Sequence, residues 1–206
     1  FNNPNATDYG KTEAGGDYYY SYGDGLFIVL NTNNYNVAEH AEAIKEAVAA
    51  YPDAKWRIVT IHQDIYGSGL DHSDTDGMIL RTQLTPVFDE NDIDVVLQGH
   101  DHTYSRTKLL HGDGETHSKY EFRLNDDGSD YDWDHAYNVD TDAQIPLNLE
   151  EGDADGTALK EEFTEDNKCY TMEETDGNEV ISPEGILYMT ANSASGSKFY
   201  ELAATQ

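Results

Sequence analysis

Short apolar runs alternate with segments of helical periodicity along the first half of the chain. Residues 18–22 and 26–31 are rich in aromatic and branched side chains and predict two strands. Gly23-Asp24-Gly25 lies between them and predicts the turn of a hairpin. Steps of three and four then predict a helix with one apolar face, formed by Val37, Ala41, Ile44, Val48 and Tyr51.

The ends of this helix are also indicated by the sequence. Asn36 stands at the N-cap position with Glu39 three residues later, the spacing of a capping box, and Pro52 ends the helix. His40 then falls on the helix surface. A strand at 56–61, an irregular loop to residue 77, a helix at 78–91 bent or stepped at Pro86, and a strand at 93–97 follow. This order is typical of an α/β layered domain.

The second half of the chain differs in composition. Residues 113–176 contain 21 Asp and Glu against 4 Lys and Arg, with few periodic apolar positions. We therefore expect one domain over residues 1–206, with core elements at 17–112, an acidic insertion at 113–184 and returning core strands at 185–206. The returning strands are predicted near 185–190 and 199–202.

Charge excludes several classes of function. The whole chain has 12 Lys and Arg against 41 Asp and Glu, for a formal net charge of −29. Binding to a nucleic acid backbone or an anionic membrane surface requires basic residues, so neither partner is expected. No apolar run reaches the length of a membrane span, about 18 residues. Cys169 is the single cysteine, which excludes an intrachain disulfide and a cysteine zinc site.

Two of the predicted strands are followed by histidines. His62 comes directly after 56–61, and Gly99-His100-Asp101-His102 comes after 93–97. Ligand sites of open α/β sheets lie outside the carboxyl ends of the strands, and histidine is the commonest metal ligand. Gly99 is expected to let the chain turn sharply and to leave room for a ligand. The spacing of His100 and His102 alone fits a solvated loop equally well.

Val59-Thr60-Ile61-His62 and Gly99-His100-Asp101-His102 resemble the last two motifs of the calcineurin-like metallophosphoesterases, most closely the purple acid phosphatase branch. The resemblance covers roughly residues 17–107, with a weaker echo at 185–202. Three flanking stretches also resemble that branch: 22–33, 65–73 and 80–107. The resemblance implies an α/β fold that is the C-terminal half of a layered β-sandwich flanked by helices, with an acidic insertion.

The same resemblance implies a set of site residues. His62 and His100 would share one metal ion and His102 would bind its neighbour, in a centre of two divalent or trivalent ions (Fe, Zn or Mn). His72 would contact the substrate phosphate or protonate the leaving alcohol, although an exposed loop histidine is the alternative. Tyr104 either lines the substrate pocket or packs.

Two neighbours of these ligands are informative. Many relatives have a second histidine where this chain has Gln63, and glutamine cannot titrate, so an acid–base role is lost there. Asp101 is expected to point away from the metals and to accept a hydrogen bond behind them.

The first three ligand motifs of the family are absent from this sequence. Gly16-Asp17 only superficially matches one of them, because it stands too late in the order. We therefore expect the chain to need the N-terminal half of the same domain as a partner, to be inactive alone, and to self-associate through an uncovered sheet surface. With that half, the implied function is hydrolysis of a phosphate monoester or diester. An extracellular or cell-envelope location in a bacterium is expected.

The alternative is a noncatalytic acidic surface module derived from a phosphoesterase, with calcium as a candidate ligand. Five residues in the acidic segment have the spacing of a calcium loop: Glu151, Asp153, Asp155, Gly156 and Glu162. The first ligand is Glu where Asp is usual, and clear flanking helices are lacking. A solvated acidic loop is the competing interpretation.

Overall fold

The computed structural model describes residues 3–67, 75–115, 117–129, 131–132, 134–147, 154–175, 177 and 179–191. The elements within them are β1 (Tyr18–Tyr22), β2 (Gly25–Val29), α1 (Val37–Ala50), β3 (Trp56–Thr60), α2 (Thr75–Glu90), β4 (Val95–Gln98), β5 (Tyr104–His111), β6 (Tyr120–Glu121), β7 (His135–Asn138), β8 (Gln144–Pro146), α3 (Ala154–Asp166), β9 (Thr171–Met172) and β10 (Ile186–Ala191).

In the described residues, one large mixed sheet has the order β1-β2-β3-β4-β10-β5-β9. The four central strands are parallel: β2 pairs with β3, β3 with β4, and β4 with β10. Strand β1 pairs antiparallel with β2, and β5 pairs antiparallel with β10. The predicted α/β class and the hairpin are confirmed. Strand β5 was not predicted, and the strand expected at 199–202 lies outside the described residues.

One apolar cluster joins this sheet to helices α1 and α2. Leu26, Val59 and Val96 of the sheet are fully buried in it, as are Ile44 of α1 and Phe88 of α2. Alternate strand residues point to the other face, where they are only half buried: Phe27, Ile58, Val95, Leu97, Leu187 and Met189. Burial is therefore strongly asymmetric across the sheet.

Helix α1 corrects two predictions. His40 is fully buried, not on the surface, and the buried stripe consists of His40, Ala43, Ile44 and Ala47. The capping box is not formed, because Asn36 makes no side-chain cap hydrogen bond. Glu39 instead accepts a hydrogen bond from the backbone N–H of Gly10 at 2.8 Å. Glu39 therefore binds the N-terminal segment around Gly10 and does not cap its own helix.

The acidic segment folds around a smaller core of its own. Strands β6, β7 and β8 form a three-stranded sheet in the described residues, and α3 packs against β8. The buried side chains of this core are Met78, Tyr120, Ala136, Ile145, Leu147 and Phe163. Phe163 makes edge-to-face contacts with Tyr120 and Phe122, at ring centroid distances of 5.0 and 6.1 Å.

The calcium-loop prediction is wrong for the part of it that the structure describes. Asp155, Gly156 and Glu162 belong to the continuous helix α3, whereas a calcium loop must curl its ligands around the ion. Glu151 and Asp153 lie outside the described residues. Among the described helices, none is both long and apolar enough to cross a membrane.

Candidate functional site

The candidate site lies at the carboxyl ends of the parallel strands β3 and β4. Their pairing continues beyond the strand ends, because Ile61 N–H donates to Leu97 O and Gly99 N–H donates to His62 O, both at 3.0 Å. Neighbouring strands are about 4.8 Å apart, so this register places His62 beside His100. Backbone pairing therefore sets the positions of the two histidines.

The two imidazole rings are in direct contact. His100 Nδ1 lies 3.2 Å from His62 Nε2, and the ring centroids are 5.0 Å apart with planes inclined by 71°. His62 is exposed and His100 is half buried. The pair is therefore open to solvent on one side, as a ligand-binding site must be.

The turn after β4 has an unusual backbone. His100 and His102 both adopt the left-handed conformation, with φ of +71° and +51°. Gly99, which was expected to make the turn, does not have a positive φ. Left-handed backbone at residues other than glycine costs on the order of 1 kcal/mol each and clusters at functional sites. The strain here falls on the predicted ligands themselves.

A buried polar network lies behind the histidines. Thr190 of β10 donates to Asp64 Oδ2 at 2.5 Å, and Gln98 Nε2 donates to Asp64 Oδ1 and, at 3.3 Å, to Thr190 Oγ1. Gln98 Oε1 accepts from Ile65 N–H at 3.2 Å. The network joins β4, β10 and the segment after β3, so it fixes these strand ends relative to one another.

Asp64 and Asp101 form a buried carboxyl pair in this network. Both side chains are fully excluded from solvent. Burial raises the pKa of Asp64 to about 8, and the charge of Asp101 and a hydrogen bond with it contribute in the same direction, against the opposing effect of Thr190. Asp101 is thus a buried partner of Asp64 in the network behind the histidines.

Gln63 supports the other side of the site. It is 3 % exposed, accepts a hydrogen bond from the hydroxyl of Thr32, and donates to Tyr35 Oη at 3.3 Å. The same Thr32 hydroxyl accepts from His62 N–H at 3.3 Å. Gln63 therefore has a structural position beside the site, in line with the absence of a titratable group there.

The remaining predicted site residues are not gathered with this pair. In the described part of the chain, no three His, Cys, Asp or Glu side chains form a group able to hold a metal ion, so His102 does not complete a cluster with His62 and His100. Tyr104 follows the turn and is 68 % exposed, which contradicts the alternative that it packs. His72 lies outside the described residues.

The geometry of the histidine pair can be compared with that of a metal site. Two nitrogen ligands of one tetrahedral zinc ion lie about 3.3 Å apart, given metal–nitrogen bonds of about 2.0–2.1 Å. The observed 3.2 Å between His62 Nε2 and His100 Nδ1 fits that separation. The donor set is thus suited to one ion but is only part of a complete set of ligands.

Sequence reasoning missed Asp64, Gln98 and Thr190. Asp64 stands two positions after His62, a spacing that could have indicated a related role. Thr190 is 126 positions from Asp64, and nothing in the local sequence marks it as a partner. Only the sheet order, which brings β10 beside β4, reveals that contact.

No family model matches this sequence, and no curated protein matches it. Among solved structures, the chain is similar to a purple acid phosphatase isolated from seeds of yellow lupin (Lupinus luteus). The identity is 22 % and the TM-score is 0.38, over 45 % of this chain. The match spans 18 % of the lupin protein, so this chain corresponds to less than a fifth of its length.

Proposed function

We propose that this chain contributes two metal ligands, His62 and His100, to a phosphoester hydrolase of the metallophosphoesterase type. The observation that carries the proposal is the contact between His62 Nε2 and His100 Nδ1 at the ends of adjacent parallel strands. The motif resemblance described above supports the same assignment. His102 is proposed as a ligand of a second ion, and Fe, Zn and Mn are the candidate metals.

The surroundings of the pair are suited to rigid metal binding. Hydrogen bonds hold the backbone of His62 on both sides, through Thr32 and Gly99. The buried Asp64–Gln98–Thr190 network anchors the strand ends below. Such support, behind the groups that touch a metal, typically changes metal affinity or activity by about 10–100-fold when removed.

The proposed chemistry follows from the negative charge that develops on the phosphoryl group during hydrolysis. Bound metal ions supply positive charge that stabilises the phosphoryl oxygens as negative charge develops on them. In this chain, His62 and His100 would hold and orient one metal ion. Asp64 and Asp101 fix the position of the segments that carry the two histidines. His72 is proposed to protonate the leaving alcohol, and Tyr104, exposed beside the turn, to contact the ester substrate.

We also propose that this chain supplies only part of the metal ligands of the site. Two histidines without a bridging carboxylate do not hold two cations together, since the repulsion between the cations is not neutralised. We expect the described ligands to need acidic and amide ligands from an N-terminal half-domain. Location outside the cytoplasm stays a prediction.

Metal binding tests the assignment directly. Zn²⁺ titration of the purified chain by calorimetry is expected to show a site that His62→Ala and His100→Ala each weaken at least about tenfold. The double variant should lose little more Zn²⁺ affinity than either single variant, because the two rings bind the same ion. His135→Ala is the matched control, since that ring pairs with Asp132 in the small sheet. Equal affinity in the original chain and in His100→Ala would refute the assignment.

A hydrolysis assay tests the incompleteness. The chain alone is expected not to cleave p-nitrophenyl phosphate above the rate of free metal. Metal-dependent cleavage that His100→Ala abolishes would show that the ligand set is complete, whereas absence of both metal binding and cleavage would favour a noncatalytic module.

A further inference from the structure

A small cavity of about 270 Å³ lies between helix α2, strand β5 and the segment that follows α3. It is separate from the histidine pair. Its apolar wall consists of Tyr66, Tyr170, Leu110 and Met172. Pockets for drug-sized ligands have volumes of about 300–1,000 Å³, so this one suits a smaller molecule.

The charge of the cavity is opposite to that of the chain. Arg81, Lys108 and Lys168 line it, and its described lining contains no Asp or Glu. The whole chain has only 12 Lys and Arg against 41 acidic residues. A random set of residues from this chain would contain more acidic than basic side chains. The described lining of this cavity instead has three basic side chains and no acidic one.

Two of the cations, Arg81 and Lys108, form no ion pair with a carboxylate in the described part of the chain. Arg81 donates from Nε to Ile65 O at 2.6 Å, and its guanidinium lies 4.8 Å from the ring centroid of Tyr66, which leaves the outer nitrogens for another acceptor. Lys108 makes no ion pair there. Lys168 pairs with Glu165 at 2.6 Å, but both side chains are exposed, and such pairs are weak.

A β-bulge in strand β5 lies beside the cavity, at Thr107 and Lys108. Leu187 pairs with Leu109 and Met189 pairs with Arg106, so Thr107 and Lys108 together stand opposite Tyr188. Bulges change the direction of a side chain relative to regular alternation, and they are frequent near functional sites. Here both residues of the bulge, Thr107 and Lys108, line the cavity, whereas Arg106 is not part of that lining.

Thr107 holds the bulge in place. Its hydroxyl accepts a hydrogen bond from Tyr188 N–H at 3.2 Å. Tyr188 is buried and its ring contacts Tyr66 at a centroid distance of 4.6 Å. The direction of Lys108 is thus coupled to the aromatic wall of the same cavity.

We propose that this cavity binds a small organic oxyanion, a phosphoryl or carboxylate group carried on a ring or short apolar body. The three cations receive the oxyanion, and Arg81 offers the planar donor geometry that suits phosphate and carboxylate. Tyr170, Leu110 and Met172 cover the apolar part. The proposal does not depend on the metal site, since no histidine is among the described residues that line the cavity.

Calorimetric titration with phenylphosphonate, which has no ester bond to hydrolyse, tests the proposal in the presence of a chelator. Inorganic phosphate and benzoate serve as the two comparison probes. We expect saturable binding of phenylphosphonate that is tighter than that of inorganic phosphate, because the aromatic ring meets the apolar wall. The comparison with benzoate decides whether the phosphoryl or the carboxylate form is preferred.

Lys108→Gln is expected to weaken the binding of phenylphosphonate about tenfold, the size of one charge-assisted hydrogen bond. Arg106→Gln is the matched control, because it removes the same charge two residues away on the same strand and should change affinity less than about twofold. Lys168→Gln should also weaken binding. Equal losses in Lys108→Gln and Arg106→Gln would overturn the proposal, as would no binding at millimolar phenylphosphonate.

Discussion

His40 Nδ1 lies 2.7 Å from Asp17 Oδ2, and neither side chain is accessible to solvent. His40 Nε2 lies 2.7 Å from Asn34 O. A carboxylate and a carbonyl oxygen only accept, so both ring nitrogens donate and the ring is an imidazolium. This buried ion pair joins helix α1 to the chain before β1. Asp17, which resembles a catalytic motif only superficially, is therefore a structural residue.

The His40–Asp17 pair predicts a pH dependence of stability. Burial by itself lowers the pKa of His40, but the hydrogen bond and charge of Asp17, with smaller contributions from Asn34 O and Glu39, raise it above the ordinary value of 6.5. A raised folded-state pKa gives stability that is fully present below pH 6.5 and is lost as pH rises through the folded-state pKa. Urea unfolding across this range should show the loss.

His40→Gln is the variant for this test. Removal of one partner of a buried ion pair costs about 3–5 kcal/mol. The variant should also lack the decline of unfolding free energy above pH 6.5 that is expected for the original chain. Parallel pH profiles for the two proteins would contradict the ionised state of His40.

Gly10 and Gly23 offer a matched pair of substitutions. Both have a left-handed backbone, with φ of +59° and +58°. A Cβ atom at Gly10 would overlap the carboxyl group of Asp17, whereas one at Gly23 would meet nothing within 4 Å. Gly23→Ala should cost about 1 kcal/mol, from backbone strain.

Gly10→Ala should cost several kcal/mol more, because it also displaces the buried partner of His40. Thermal unfolding of the two variants under identical conditions measures the difference. Equal melting temperatures would show that the segment around Gly10 moves aside without cost.

The left-handed backbone of His102 predicts that two substitutions there differ in stability but not in metal binding. His102→Gly should be more stable than His102→Ala by about 1 kcal/mol, since glycine adopts φ of +51° without a steric penalty. Both variants remove the imidazole, so both should lose any metal affinity that depends on it. Chemical unfolding of the metal-free proteins provides the comparison, and a less stable glycine variant would be evidence against backbone strain at this turn.

Thr190 tests the buried network behind the site. Thr190→Val keeps the shape but removes the hydrogen bond donated to Asp64 Oδ2 and the one accepted from Gln98 Nε2, at a cost of about 1–3 kcal/mol. Thr190→Ser keeps the hydroxyl and should recover most of that stability. Zn²⁺ affinity measured on both variants should fall in Thr190→Val and be restored in Thr190→Ser; a fall of the same size in both would indicate a packing effect.

The half-buried face of the sheet predicts self-association. Ile58 and Leu97 are among the apolar residues on that face, and burial of apolar surface drives association. The charge of −29 opposes close approach, but repulsion is screened over about 8 Å at physiological salt. Sedimentation should therefore show association that strengthens with salt and is prevented by Ile58→Glu. A monomer at every salt concentration would contradict this expectation.

Elements with a clear hydrophobic pattern were predictable from the sequence. The β1–β2 hairpin, helix α1 and strands β3 and β4 each bury one regular set of side chains, and their periods of two or 3.6 residues are visible in the sequence. Strand β5 was missed because its first residues, from Tyr104 to Lys108, are largely polar and none of them is buried, so the sequence shows no alternation of apolar and polar residues there.

The contacts between distant segments were not predictable in the same way. His40 stands on a helix of ordinary amphipathic pattern, and its burial depends on Asp17, 23 residues earlier. The site shows the same division. The nearness of His62 and His100 follows from two strand ends, whereas the support from Thr190 depends on β10 lying beside β4. Local pattern carries no information on such pairings.

Helix α2 contributes to both hydrophobic cores. Leu80, Leu84 and Phe88 enter the core of the large sheet, while Met78 enters the core built on Phe163 and Leu147. The same helix also supplies Arg81 to the oxyanion cavity. Loss of the acidic segment's structure would free the first turn of α2, and melting of α2 would remove a wall from both cores. The two cores should therefore unfold in a single cooperative transition, although each has its own sheet.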